Sequence, residues 1–213
     1  MSVHVYTITY NEAFMLPYFI KHYRSMFPGC EITVYDNEST DDTPIIAMQS
    51  KCNVITYRTG DKLDDVRYLQ IKNNCWKKHK GWVIVADCDE FCDINEGSLM
   101  RQEGFGYSII SFEGYNMVNL KDDMDFDSIH TGVRSTSYDK MYCFNTNYVI
   151  ATNYEPGCHT AKPNGILTKS RDKYRCRHYK YLNPQYMLDR HRSFASRLSE
   201  VNIKYGYGGH YLY

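Results

Sequence analysis

Asp87 and Asp89 stand two residues apart, directly after the apolar run Trp82 to Ala86. In an extended chain, residues two apart point to the same side, so the pair can aim two carboxylates at one point just past a strand. Two hard oxygen donors attract Mg²⁺ or Mn²⁺, ions that keep positions open for water or a substrate phosphate. Without a cation, neighbouring carboxylates repel each other. The chemistry this suits is neutralisation of a diphosphate. Asp-x-Asp alone is common on loops, and its place after a hydrophobic strand, with Glu90 and Phe91 following, is what raises it above chance. His159, within Gly157-Cys158-His159, is a candidate third metal ligand, against the plainer reading of a hydrogen-bonded core histidine. Asp36 ends another strand-like run, where it can accept hydrogen bonds from a base or ribose, or cap its turn with Asn37 and Ser39.

The elements that must position these residues alternate. Val3 to Thr9 reads as a strand, and Leu16, Phe19, Ile20 and Tyr23 share a helix face, with Pro17 in the first turn. Strands are expected at Glu31 to Tyr35, Val54 to Tyr57 and Trp82 to Ala86, with helices opening at Pro44 and spanning Leu63 to about Lys80. Such an order predicts right-handed crossovers and a largely parallel sheet that binds ligands beyond its carboxyl ends, where Tyr10, Asn11, Asp36 and Asp87 lie. Past Asp93 the pattern weakens to strands at Ser108 to Phe112 and Met141 to Phe144 and a helix over Asn183 to Leu198.

Composition narrows the function. The 213 residues and 43% hydrophobic content suit one core, and one domain is expected. Formal net charge is zero, so no global field draws the chain to nucleic acid or membrane. No apolar run approaches the roughly 20 residues that cross a bilayer. Eight cysteines without a CxxC pair argue against structural zinc, and the early strand leaves no room for a signal peptide. A cytoplasmic protein with reduced thiols is expected. The first strand-to-helix loop has no glycine, and Gly206, Gly208 and Gly209 follow a helix, so the dinucleotide fingerprint is absent. The acidic run Asp122, Asp123, Asp125, Asp127 lacks the glycine and final Glu of a calcium loop, with Ser128 and Arg134 in their places, and reads as a solvated loop. Between Thr160 and Leu198, ten Lys or Arg interleave with Tyr174, Tyr179, Tyr181 and Tyr186. That segment suits a phosphate-facing groove, an RNA-binding surface or a solvated helix face.

Taken together, Thr9-Tyr10-Asn11-Glu12, Val34-Tyr35-Asp36-Asn37 with Ser39-Thr40-Asp41, and Trp82 to Phe91 resemble the family-2-like glycosyltransferases of GT-A fold. Tyr138-Asp139-Lys140, Asn153-Tyr154 leading to Gly157-Cys158-His159, His178 to Tyr181 and Arg197-Leu198-Ser199 resemble a subgroup of them, and the chain is similar to a glycosyltransferase domain encoded by a chlorella virus. The resemblance implies an α/β protein with a mostly parallel, Rossmann-like sheet flanked by helices, with about 1–95 as the nucleotide-binding half and about 96–213 as the acceptor-side half. It implies a UDP-sugar donor, a glycan or glycoprotein acceptor, Mn²⁺ or Mg²⁺, no nucleic acid partner, and a host-cytoplasmic location if the source is viral. Thr9, Tyr10, Asn11, Asp36, Arg67, Gln70 and Asn74 would surround uridine and diphosphate, with Cys88 in the motif between them and the metal. Asp87 would approach ribose and metal, Asp89 would be the principal ligand, and His159 would complete the shell with His178 as its competitor.

The usual Glu-Asp pair that supplies the catalytic base is missing, which leaves Asp139, Glu155 and Glu113 as candidates; Asp139 is favoured because Lys140 beside it can hold it ionised. The expected reaction is direct displacement at the donor's anomeric carbon, and the resemblance implies that it inverts that centre. Two rival readings are a sugar nucleotidyltransferase, which should carry a glycine-rich loop after the first strand, and a noncatalytic glycan- or RNA-binding module, which would leave the carboxylates unexplained.

Overall fold

The computed structural model describes residues 2–119 and 126–212. Strand β1 (Val3–Thr9) is buried along its whole length, as is β4 (Trp82–Val85), and these two pair in parallel at the middle of a nine-stranded sheet. Parallel neighbours β2 (Glu31–Asp36) and β3 (Asn53–Thr56) extend it on one side. Continuous Val/Ile/Trp runs are what a strand covered on both faces requires. Helix α1 (Leu16–Met26) buries Leu16, Phe19, Ile20 and Tyr23, the face its spacing predicts, and α2 (Thr43–Gln49) crosses between β2 and β3. Helix α3 (Asp65–Asn74) then leads into β4. It is shorter than its pattern suggests, because Asp64 caps it by accepting from the Arg67 N–H, while Leu63 bridges to Leu198 instead.

Beyond β4 the sheet turns mixed. Short β5 (Glu90–Cys92) and helix α4 (Glu96–Gly104) precede β6 (Ile109–Val118), which pairs antiparallel with β7 (Gly132–Arg134) and β8 (Cys143–Asn145). β8 joins this half to β4, also antiparallel. A separate hairpin comprises β9 (Val149–Ala151) and β10 (Asn164–Gly165). The basic, tyrosine-rich segment is a strand, β11 (Lys169–Tyr181), parallel to β6 and antiparallel to β5. Ser170, Cys176 and His178 point inward, while Lys169, Arg171, Lys173 and Arg175 stay exposed, the alternation of a half-solvated strand. Helix α5 (Pro184–Arg197), capped by Asn183, and α6 (Glu200–Tyr205) follow. Of the acidic run, Asp122, Asp123 and Asp125 lie outside the described residues, and Asp127 pairs with Lys21 at 3.1 Å on the surface. No helix among the described residues is long and apolar enough to cross a membrane.

Two core histidines couple this fold to pH. His4 Nε2 meets Thr33 Oγ1 at 2.7 Å, and His22 Nε2 donates to the Cys92 carbonyl at 3.0 Å. Burial pushes both pKa values down to about 4. Between pH 7 and 5 the unfolded chain therefore takes up protons that the folded chain refuses, and stability falls by up to about 1.4 kcal/mol per pH unit for each histidine. Urea midpoints measured across that interval should drop with pH, and His22→Gln should flatten the slope. A midpoint independent of pH would show that these rings do not titrate on unfolding.

Candidate active site

The carboxyl end of β4 opens on a cavity of about 560 Å³. There the chain does not stay extended. Glu90 N donates to the Asp87 carbonyl at 2.9 Å, and Asp87 N donates to Glu90 Oε2 at 2.8 Å, so residues 87–90 form a tight turn. Asp87 and Asp89 consequently face different partners along one cavity wall. Glu90 is buried beneath the turn, where Lys140 Nζ reaches its Oε1 at 2.5 Å and Tyr142 donates to the same oxygen at 3.3 Å.

Asp87 faces α3. Its Oδ1 accepts from the Tyr68 hydroxyl and lies 2.7 Å from Lys72 Nζ, and Lys140 Nζ is 3.7 Å from Oδ2. Burial would raise this carboxyl, but the two ammonium groups outweigh it and hold it well below the usual carboxylate range. Asp89 faces β11 and α5. His178 Nε2 and Arg190 Nη2 each lie 3.6 Å from its Oδ2, and its carboxylate accepts no hydrogen bond among the described residues. His178 is fixed by Asn116 Oδ1 at 2.8 Å from Nδ1 and by Tyr138, stacked at 3.8 Å. Because Asn116 Oδ1 only accepts, the proton sits on Nδ1 and the Nε2 lone pair faces Asp89. Burial keeps this imidazole below its ordinary pKa, against the pull of Asp89. Gly114 on β6 makes the Tyr138 stack feasible, since a Cβ there would meet the Tyr138 backbone carbon at 2.6 Å.

Among the described residues no three His, Cys, Asp or Glu side chains form a complete metal cage. A carboxylate with open lone pairs beside an unprotonated imidazole nitrogen nonetheless fits Mg²⁺ or Mn²⁺, which take few protein ligands and fill the rest with water and phosphate. Asp89 and His178 make that pair. Asp87 is already engaged by two cations.

The cavity gathers Thr9, Tyr10, Cys88, His159 and His178 with the two aspartates. His159 lines its rim, with Nδ1 2.7 Å from the Ser137 carbonyl. Other expected residues sit elsewhere. Asn11, at φ 52°, ties its loop to the next, its Oδ1 accepting from Thr40 N at 2.8 Å. Asp36 is buried and accepts from Ser39 N and from Thr9 Oγ1, the turn-capping role, while neighbouring Asn37 reaches the cavity. Arg67, Gln70 and Asn74 share the exposed face of α3, and it is Asp65, Tyr68 and Lys72, also spaced by three and four, that turn inward. Asp139 pairs with Arg134 at 2.6 Å and accepts from Gly114 N, while its neighbour Lys140 points the other way, to Glu90. Glu113 meets Lys173 at 3.2 Å and Glu155 meets Lys162 at 2.5 Å. None of these three carboxylates lines the cavity.

The C-terminal helices supply a wall the sequence did not announce. Arg190 of α5 gives one nitrogen to both Glu12 oxygens at 2.7 Å. Arg197 covers the Tyr10 ring, donates to Asn37 Oδ1 at 2.9 Å and meets Asp61 at 3.0 Å. Leu63 N donates to the Arg197 carbonyl, Ser199 N to the Leu63 carbonyl, and Asn202 exchanges hydrogen bonds with Asp65.

A sheet flanked by helices, with acidic residues in the turn after its central strand, is the GT-A fold. Two structures of S. aureus TarS 1-349 are similar to it. One matches with TM-score 0.50 and 17% identity over 95% of this chain and 68% of that one. The other, in complex with UDP, matches with TM-score 0.50 and 15% identity over the same shares, 95% and 68%. Against a longer TarS structure the chain covers 39% of that protein, at TM-score 0.47 and 15% identity over 92% of this chain. No protein-family model matches the sequence, and no curated protein does.

Proposed function

We propose that this protein is a metal-dependent glycosyltransferase that moves a hexose or deoxyhexose from a UDP-sugar to a glycan acceptor hydroxyl with inversion. The observation that carries the reading is Asp89: a carboxylate without a hydrogen-bond partner among the described residues, facing a cavity at the carboxyl end of the central strand of a GT-A fold. The UDP complex of TarS, a protein of similar fold, supports the choice of donor. Residues 1–95 would form the nucleotide-binding half, with Tyr10, Asn37 and Asp65 toward the nucleoside, and residues 96–213 the acceptor side.

Asp89 and His178 would hold Mn²⁺ or Mg²⁺, which supplies charge neutralisation for the departing diphosphate. Asp87, fixed by Tyr68, Lys72 and Lys140, presents a permanently ionised edge that accepts hydrogen bonds from ribose hydroxyls. Aromatic walls from Tyr138, Phe194 and Tyr211 exclude water and flank the sugar. Inversion requires a base for the acceptor proton, and the outward ion pairs of Asp139, Glu113 and Glu155 direct that search to groups inside the cavity.

Release of UDP from a panel of nucleotide sugars with Mn²⁺, without added acceptor, tests the reading. Slow hydrolysis of one UDP-sugar is expected, and Asp139→Asn should retain it and, once an acceptor glycan is added, retain transfer. No turnover of any nucleotide sugar would refute the assignment, and loss of transfer alone in folded Asp139→Asn would restore Asp139 as the base.

A further inference from the structure

Four cations enter the cavity from the acceptor side and from α5: Lys140, Lys180, Arg190 and Arg197. Three have carboxylate partners, Glu90, Glu12 and Asp61 respectively for Lys140, Arg190 and Arg197. Lys180, half-buried on β11, has no ion pair within 4 Å among the described residues. Asp89 is the carboxylate it senses, from farther away. Lys180 Nζ sits 5.7 Å above the Tyr211 ring, and two histidines pack against that same ring, His191 with centroids 5.2 Å apart and His210 at 4.0 Å. The histidines are 6.3 Å from each other. Among the described residues His191 Nε2 has no hydrogen-bond partner.

These groups also work against one another. Burial and then Lys180 hold both histidines below their usual pKa, with Arg190 adding to the effect at His191, and His191 and His159 adding to it at His210. Such mutual repulsion, with no carboxylate in contact among the described residues, is the electrostatic signature of a site shaped for an anion. The cluster comes from β11, α5 and the 3-10 turn at Gly209–Leu212, and it lines the same cavity as Tyr10, Asn37 and Tyr57.

We propose that Lys180, His191 and His210, gathered around Tyr211, form a subsite for a phosphate or carboxylate group carried by the acceptor glycan. The proposal rests on the glycosyltransferase reading for its acceptor and on the cluster geometry for its anion. An aromatic floor ringed by cationic and hydrogen-bond-donating groups takes a sugar face and its charged substituent together. An anion seated there relieves the repulsion.

The donor diphosphate offers the same chemistry, and the test separates the two sources. Ring-proton NMR follows the His191 and His210 titrations while inorganic phosphate is added to the full chain, alone and then with saturating UDP and Mn²⁺. Both midpoints should rise by about half a pH unit or more with phosphate, as a nearby opposite charge requires, and the rise should persist with UDP bound. Lys180→Met should weaken the phosphate response at least tenfold while the signals of the core histidines His4 and His22 keep their positions. Should that variant not fold, His191→Gln with His210 as reporter takes its place. Displacement of phosphate by UDP would assign the cluster to the donor and overturn the proposal, as would histidines indifferent to phosphate or an undiminished response in the variant. Absence of UDP-sugar turnover, measured separately, would strike the parent reading and leave the phosphate result standing.

Discussion

Asp89→Asn is expected to lower UDP-sugar turnover by about a hundredfold to a thousandfold, the effect of removing several kcal/mol of transition-state charge stabilisation. The substitution keeps volume and removes only the charge. Asp89 contributes no ion pair shorter than 3.6 Å, so the urea midpoint should move little. A second readout does not depend on turnover. Wild-type protein should bind UDP more tightly when Mn²⁺ is added, and the variant should lose that increment, leaving only the metal-free affinity. An unaltered Mn²⁺ dependence in the variant would remove Asp89 from the metal site, whatever happened to the rate.

Lys140→Met should produce the largest loss of stability among single substitutions near the cavity. Lys140 is buried, Glu90 is 1% exposed, and Asp87 shares the same ammonium. Removing it leaves Glu90 charged in the interior, with Tyr142 and the Asp87 N–H as its remaining donors. Breaking a buried pair from one side costs about 3–5 kcal/mol, which for a chain of this size lowers the melting temperature by roughly 10 °C. Adding Glu90→Gln to Lys140→Met should recover part of the loss, because a neutral amide needs no counter-charge. A single variant as stable as wild type would mean that water or rearrangement satisfies Glu90.

The N-terminal half was readable because its signals are local. Apolar runs gave β1, β2 and β4, a helical face gave α1, and the acidic triplet marked the turn beyond β4. Where reading failed, nonlocal contacts decide. Nothing in the spacing of α3 distinguishes the face of Arg67, Gln70 and Asn74 from that of Asp65, Tyr68 and Lys72, since both repeat by three and four residues; only the position of Asp87 chooses between them. Asp36 could equally bind a ligand or cap a turn until the Ser39 N–H is seen to claim it. Strand β11 was the avoidable miss. Its charge content suggested a binding surface, yet Ser170, Cys176 and His178 already alternate with Lys and Arg in the pleat's period of two. Arg197 stood out only within the Arg197-Leu198-Ser199 motif and Arg190 not at all, and neither showed its role, because their partners Glu12, Asn37 and Asp61 lie more than a hundred positions away.

That separation bears on how the protein comes into being. The contacts of Leu63 with Arg197 and Ser199, and of Asp65 with Asn202, join stretches about 135 positions apart, and loops that long close slowly and at high entropic cost. The parallel strands can assemble from neighbouring segments, whereas the cavity wall of Tyr10, Asn37 and Asp65 waits for residues 197–202 to be synthesised and docked. Closure of the cavity is thus a late event on the folding path, and a nascent chain halted before that stretch would own a sheet with its acidic turn but no finished cleft.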